Sequence, residues 1–206
     1  MTSRHLFAIF SDDNTSGVVY KNKYLKRLII NQLDRVGKTT ITELSKELNI
    51  SVPKITSLVN ELTEDGLIKD NGKFDSTGGR RASVYGLVSD ACFFVGVDVK
   101  RYYVNLGLLD FKKHLVTSKE KVPFKLENTP ESLHALLVII KTFVNEFNPE
   151  SVKDKILGIG INLSGRINNT TGYSYSYFHF HEEPLSAIIQ KEIGIQKSPN
   201  PTGTCT

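Results

Sequence analysis

Six residues clustered between Ser51 and Asn60 carry the side chains best suited to reading another surface: Ser51, Pro53, Lys54, Thr56, Ser57 and Asn60. All are small or polar. Their hydroxyls, amide and ammonium can donate to and accept from base edges or phosphate oxygens, and none is bulky enough to block a close approach. A second set is Arg80 and Arg81, which follow Gly78 and Gly79. Two guanidinium groups on a glycine-preceded loop suit phosphate contact or insertion into a minor groove. Two other groupings are weaker. His179-x-His181-Glu182-Glu183 offers metal-ligand types, but no second cluster completes a site, so it reads as an aromatic, polar loop and no metal is expected. Tyr173, Tyr175 and Tyr177 could stack on a ligand and read better as an exposed hairpin or a subunit contact.

These residues need elements to position them. Ile55, Leu58, Val59 and Leu62 recur at spacings of three and four, which predicts a helix with one buried stripe and the polar set on its other side. Ser51 is its expected N-cap, Pro53 is tolerated in its first turn, and Gly66 ends it. Ahead of it, Tyr24, Leu25, Leu28, Ile29 and Leu33 form one face of a helix that begins at Tyr20 and stops at Gly37. Thr40-Ile-Thr-Glu43 has the spacing of a capping box, so a second helix opens near Ile41, presents Leu44 and Leu48, and ends at Asn49. A capped helix, a short turn and a helix with a small polar face make a helix-turn-helix pattern. Downstream, Gly66-Leu-Ile-Lys69 and residues 82–88 read as two strands of a hairpin wing, with Asn71-Gly72 and Ser76 to Arg81 between them. Taken singly, each feature fits a small core; taken in this order, they predict an α+β winged helix-turn-helix DNA-binding domain over 19–88, behind a flexible leader at 1–18.

Composition limits the alternatives. Among 206 residues, 39% are hydrophobic and 23% charged, ordinary for a globular protein. No apolar run reaches membrane-spanning length, and Leu6 to Phe10 is too short for a secretory segment. Cys92 and Cys205 form no spacing motif, so a reduced, cytoplasmic protein is expected. From Val19 to Val88 there are twelve Lys and Arg against eight Asp and Glu, which equals the net +4 of the whole chain. The positive charge therefore belongs to the winged-helix segment.

Over 91–195 the period changes. Cys92 to Val99, Tyr103 to Asp110 and Leu115 to Val122 read as strands. Thr129-Pro130-Glu131 starts a helix whose stripe is Leu133, Leu136, Leu137, Ile140, Val144 and Phe147, and Ile156 to Leu163 is a further buried strand. Pro184 to Gly194 reads as a last helix and 196–206 as an irregular tail. The expectation is an α/β domain with a mixed sheet.

The stretches I-T-E-L-S-K-E-L-N-I-S, E-D-G-L-I and S-T-G-G-R-R-A-S-V-Y-G-L resemble the winged-helix half of bacterial ROK-family transcriptional repressors. The family usually has a proline where this chain has Ala82. The second segment is similar to the first lobe of the actin-like sugar kinase fold of that family, and the resemblance implies a sugar or sugar-phosphate effector, a double-stranded DNA operator and a homodimer or higher homo-oligomer. Family kinases follow their first-strand Asp with Gly-Gly-Thr, whereas Asp98 is followed here by Val99, Lys100, Arg101 and Tyr102. Side chains in place of glycines keep phosphates from the backbone, so ATP is not expected to bind and no cofactor is implied. By resemblance, Asn162, Ser164 and Gly165 are the sugar-proximal positions, with Ser164 where the family has proline. The family's Glu-x-Gly-His motif, cysteine-rich zinc motif and second lobe are missing, so a truncated sugar-sensing domain is expected. The alternatives are a ROK kinase relative phosphorylating a hexose, and a winged-helix module that binds protein.

Overall fold

The computed structural model describes residues 17–73, 82–146, 155–168, 170–180 and 182–194. The chain divides into two compact units between Ala91 and Cys92.

In the first unit, helix α1 (Val18–Val36) buries Leu25, Ile29, Ile30 and Leu33. It begins two residues before the expected Tyr20, within the stretch expected to be leader. Tyr24, expected on the buried face, is 52% exposed, because the stripe is centred on Leu25 and Ile29 and Tyr24 points away from it. The helix stops at Gly37, whose N–H returns to the Leu33 carbonyl at 2.9 Å. Strand β1 (Lys38–Thr40), which the sequence pattern does not predict, follows at once and runs directly into α2 (Ile41–Leu48). The capping box is formed: the Glu43 N–H donates to Thr40 Oγ1 at 3.2 Å and the Thr40 N–H donates to Glu43 Oε2 at 3.0 Å. Thr39 Oγ1 also donates to that carboxylate at 2.7 Å, and this bond is the largest cause holding the Glu43 carboxyl below its ordinary pKa. Asn49 ends α2 in the left-handed conformation, with φ of 52°.

Helix α3 (Val52–Glu64) seals the unit with Ile55, Leu58, Val59 and Leu62, all fully buried. Burial of side chains of this size contributes roughly 1.5 to 3 kcal/mol each relative to exposure. Gly66, at φ of 69°, turns the chain out of α3 and lets the Leu67 N–H reach the Leu62 carbonyl at 2.9 Å. Strands β2 (Ile68–Lys73) and β3 (Ser83–Leu87) then complete an antiparallel sheet of order β1-β3-β2. The central position of β3 explains Gly86: a Cβ there would stand 2.9 Å from Asn71 Nδ2 and 3.1 Å from the Gly37 carbonyl. Asn71-Gly72 is not the hairpin turn that its residue types suggest. Both lie inside β2, where the register shifts between Asp70 and Lys73, so the pair makes a bulge. Residues 74–81, where the sequence pattern places the tip of the wing, lie outside the described residues.

In the second unit, strands β4 (Phe93–Val99), β5 (Tyr103–Asp110), β6 (Leu115–Pro123) and β7 (Ile156–Leu163) form a sheet of order β6-β5-β4-β7. It is mixed: β7 runs parallel to β4, and the other pairings are antiparallel. Alternation divides its faces. Phe93, Val95, Val97, Val99, Val104, Leu106 and Leu108 pack with α4 (Pro130–Glu146) and α5 (Leu185–Ile193) into one core. Asp110 holds the β5–β6 turn, its carboxylate accepting from the Lys112 and His114 amides at 2.8 and 2.9 Å. On the opposite face, Gly107, Gly96 and Gly160 lie side by side on adjacent strands, and in the next row Asn105, Asp98 and Asn162 do the same. Phe147 of the expected helix stripe and the tail from 195 onward lie outside the described residues.

Candidate nucleic-acid interface

Helix α3 meets α1 along one seam. At its amino-terminal end, Lys54 Nζ donates to Asn22 Oδ1 at 2.7 Å. Farther along, Lys26 of α1 lies 3.0 Å from Glu61 Oε2 and 3.3 Å from Asp65 Oδ2, with only 12% of its side chain exposed. The two helices therefore run alongside each other with like ends together. Their electrostatics differ from end to end: Lys26 is neutralised by two carboxylates, whereas the partner of Lys54 is a neutral amide. Neither helix has an acidic residue in its first turn.

The six sequence-selected residues of α3 divide by exposure. Ser51, Pro53, Ser57 and Asn60 are exposed, and Lys54 and Thr56 are half-buried. Thr56 is bonded back onto its own helix, its hydroxyl donating to the Val52 carbonyl at 2.8 Å. Ser57 donates to Glu61 Oε1 at 3.2 Å. Ser51 occupies the N-cap position, yet its hydroxyl makes no capping hydrogen bond, so that group stays free to meet another molecule. Asn60 has no side-chain partner among the described residues. Arg80 and Arg81 lie outside the described residues. Asn22 is not visible as a site residue in the sequence because an isolated amide at the start of a helix carries no motif; its role comes only from the packing of α1 on α3.

In the second unit the structure separates the positions that the resemblance grouped. Asn162 Nδ2 donates to Asp98 Oδ1 at 2.8 Å, and Asn105 Nδ2 lies 3.4 Å from Asp98 Oδ2. Lys100 Nζ is 3.1 Å from the same Asp98 Oδ1. Burial raises the Asp98 pKa, but the donors Lys100, Asn162 and Asn105 together outweigh it and bring the carboxyl below its ordinary value near 3.8. Asp98, Asn105 and Asn162 line a shallow cavity of about 660 Å³ on the sheet face bearing the glycine row. Ser164 and Gly165 lie beyond the end of β7 and do not line it. A Cβ on Gly165 would fall 2.5 Å from Ser176 Cβ, and Ser176 Oγ accepts from the Arg166 N–H at 2.9 Å, so this glycine serves a close chain crossing. Tyr175 is 56% exposed and lies beneath the Arg166 guanidinium, 5.8 Å from ring centroid to Cζ. His179 pairs with Asn128 at 3.3 Å. His181 lies outside the described residues, and no group of three metal-ligating residues forms among those described.

The chain is similar to known proteins over both units. A family described as winged helix-turn-helix DNA-binding matches residues 23–69. A putative xylose repressor of Caldicellulosiruptor sp. is 22% identical over 74% of this chain and 38% of its own length. The DNA-binding transcriptional dual regulator NagC of Escherichia coli is 27% identical over 73% of this chain and 36% of its own, and a Bacillus subtilis xylose repressor is 26% identical over 72% and 38%. The chain thus spans under half the length of the relatives it matches. A crystal structure of a ROK-family transcriptional regulator, a homologue of the Escherichia coli MLC protein, superposes with a TM-score of 0.64 at 21% identity, over 85% of this chain and 44% of that one. With the fold and these likenesses in agreement, the chain is similar to ROK-family regulators: it has a winged helix-turn-helix domain followed by an α/β domain that matches part of the fold of that regulator.

Proposed function

We propose that the chain is a cytoplasmic, sequence-specific DNA-binding regulator of sugar-metabolism genes, acting as a repressor, with α3 as the helix that enters the major groove. The observation that carries this reading is α3 itself. One side is fully buried by Ile55, Leu58, Val59 and Leu62, and the other exposes Ser51, Ser57 and Asn60 beside Pro53, which leaves small hydrogen-bonding groups facing outward. Arg80 and Arg81, which the sequence pattern assigns to a wing, would add phosphate or minor-groove contacts. A homodimer would set two α3 helices in successive major grooves, and a sugar or sugar-phosphate bound by the second unit would change operator affinity; DNA would then change sugar affinity by the same factor. Asn162 is the position of the three sugar-proximal ones that lines a cavity, and it is already bonded to Asp98.

Hexose phosphorylation is disfavoured by the same carboxylate. Lys100 lies on Asp98, and the tight turn after β4 is closed by the Lys100 N–H donating to the Tyr103 carbonyl at 2.9 Å, which leaves no open glycine loop for phosphates. The test is a fluorescence anisotropy titration against a random-sequence duplex pool at several salt concentrations. Binding should weaken linearly on logarithmic axes, and Arg80→Ala with Arg81→Ala should reduce the slope by about 0.9 for each phosphate that the variant no longer neutralises. Affinity indifferent to salt overturns the DNA reading, and a double variant with an unchanged slope removes the wing from it.

A further inference from the structure

The seam between α1 and α3 supports an inference that rests on the DNA-binding reading and divides the labour within it. The Lys54 ammonium has three N–H donors and gives one to Asn22 Oδ1 at 2.7 Å. That bond fixes the side chain at the edge of α3 nearest α1, half-buried, and draws it away from the outward face where Ser57 and Asn60 stand. It engages only the oxygen of the Asn22 amide, whose nitrogen has no partner among the described residues and keeps both its donors. We propose that Asn22 and Lys54 form a phosphate clamp, in which the amide nitrogen and the ammonium donate together to one backbone phosphate of the duplex, while Ser57 and Asn60 face the bases.

Charge supports this assignment. Lys54 stands in the first turn of α3, where the helix amides already make the potential positive and a lysine is disfavoured for the isolated helix. No carboxylate among the described residues offsets it, in contrast to Lys26 farther along the seam, which two carboxylates hold. A phosphate supplies the missing anion and can accept both donors at once.

The experiment compares the unaltered chain with Asn22→Asp, Asn22→Ala and Lys54→Ala, on the random duplex pool and on duplexes selected from it. Asn22→Asp gives Lys54 a carboxylate partner, so it should leave thermal stability equal or higher while weakening binding to both DNA sets by a similar factor. It should also lower the salt slope by about 0.9, the change expected when one phosphate is no longer neutralised. Lys54→Ala should match that slope change, and combining it with Asn22→Ala should cost less than the two effects summed. A purely structural Asn22 predicts the opposite pattern, with Asn22→Asp binding DNA normally, and that result overturns the clamp. So does a Lys54→Ala variant that weakens only the selected duplexes, because Lys54 would then read a base. If the unaltered chain binds no duplex, the DNA reading itself fails; if it binds while all three variants match it, only the clamp fails.

Discussion

Asn60 in the first unit and Asn162 in the second are both exposed amides on regular elements, but their surroundings differ. Asn60 has no side-chain partner among the described residues and stands beside Ser57, which is also exposed and makes a single bond, to Glu61. Asn162 donates to Asp98, which also receives Lys100 and Asn105, so the charge and hydrogen-bonding capacity of that cluster are largely met from within the chain. Polar residue types of comparable promise thus become an open surface in one unit and a closed network in the other. A side chain recognises a partner only where the fold leaves its donors and acceptors unmatched, and sequence alone does not reveal that condition.

Each polar set stands on a closed core, and the most severe way to break the contrast is to open one. Leu58 in α3 and Ile140 in α4 are both fully buried. Leu58→Ala and Ile140→Ala should each destabilise the protein by roughly 2 to 5 kcal/mol, read as a lower urea midpoint, because transfer and cavity terms add. Leu58→Ala should also abolish DNA binding, since the stripe that orients the polar face of α3 is the stripe being cut. A smaller effect is expected from the polar face itself. Asn60→Ala should weaken a selected duplex by about 1 to 3 kcal/mol while leaving the unselected pool and the urea midpoint nearly unchanged. Asn162→Ala in the same titrations should change neither DNA affinity. Equal weakening by the two substitutions would erase the distinction between open and closed amides.

Much of this architecture is legible because it rests on local patterns. The stripe Ile55, Leu58, Val59 and Leu62, the Thr40–Glu43 capping box and the left-handed Asn49 each depend on neighbours within a few residues, and the alternation in β4 and β5 sorts inward from outward positions by itself. What is not legible depends on distant partners. Strand β1 has three residues, too few for a period, and exists because β3 offers it a ladder. Asn71-Gly72 has the composition of a turn, but the pairing of β2 with β3 continues past it to Lys73, so it becomes a bulge. Tyr24 reads as part of a stripe because aromatic residues count as apolar, whereas the packing of α1 is centred one position later. The candidate site follows the same rule: α3 is visible from spacing, while Asn22, 32 residues before Lys54, is not.

The mildest perturbation tests the closed cluster through pH. The donors around Asp98 hold its carboxyl below its ordinary value near 3.8, so the ionised form is favoured in the folded chain. A depressed folded pKa contributes stability that is fully present above the unfolded value and is lost as pH falls through the folded one. Asp98→Asn cannot ionise and lacks this dependence. The difference in urea-derived stability between the unaltered protein and Asp98→Asn should therefore stay constant at neutral and mildly acidic pH, then shrink as pH drops below the ordinary carboxylate value. Because about a third of the Asp98 side chain is exposed, solvent screens the interaction and the change should be small. A difference that grows on acidification would mean that burial, which raises this pKa, outweighs the three donors. The Asp98 cluster would then be an unsatisfied site awaiting a ligand, and the contrast with α3 would lose its basis.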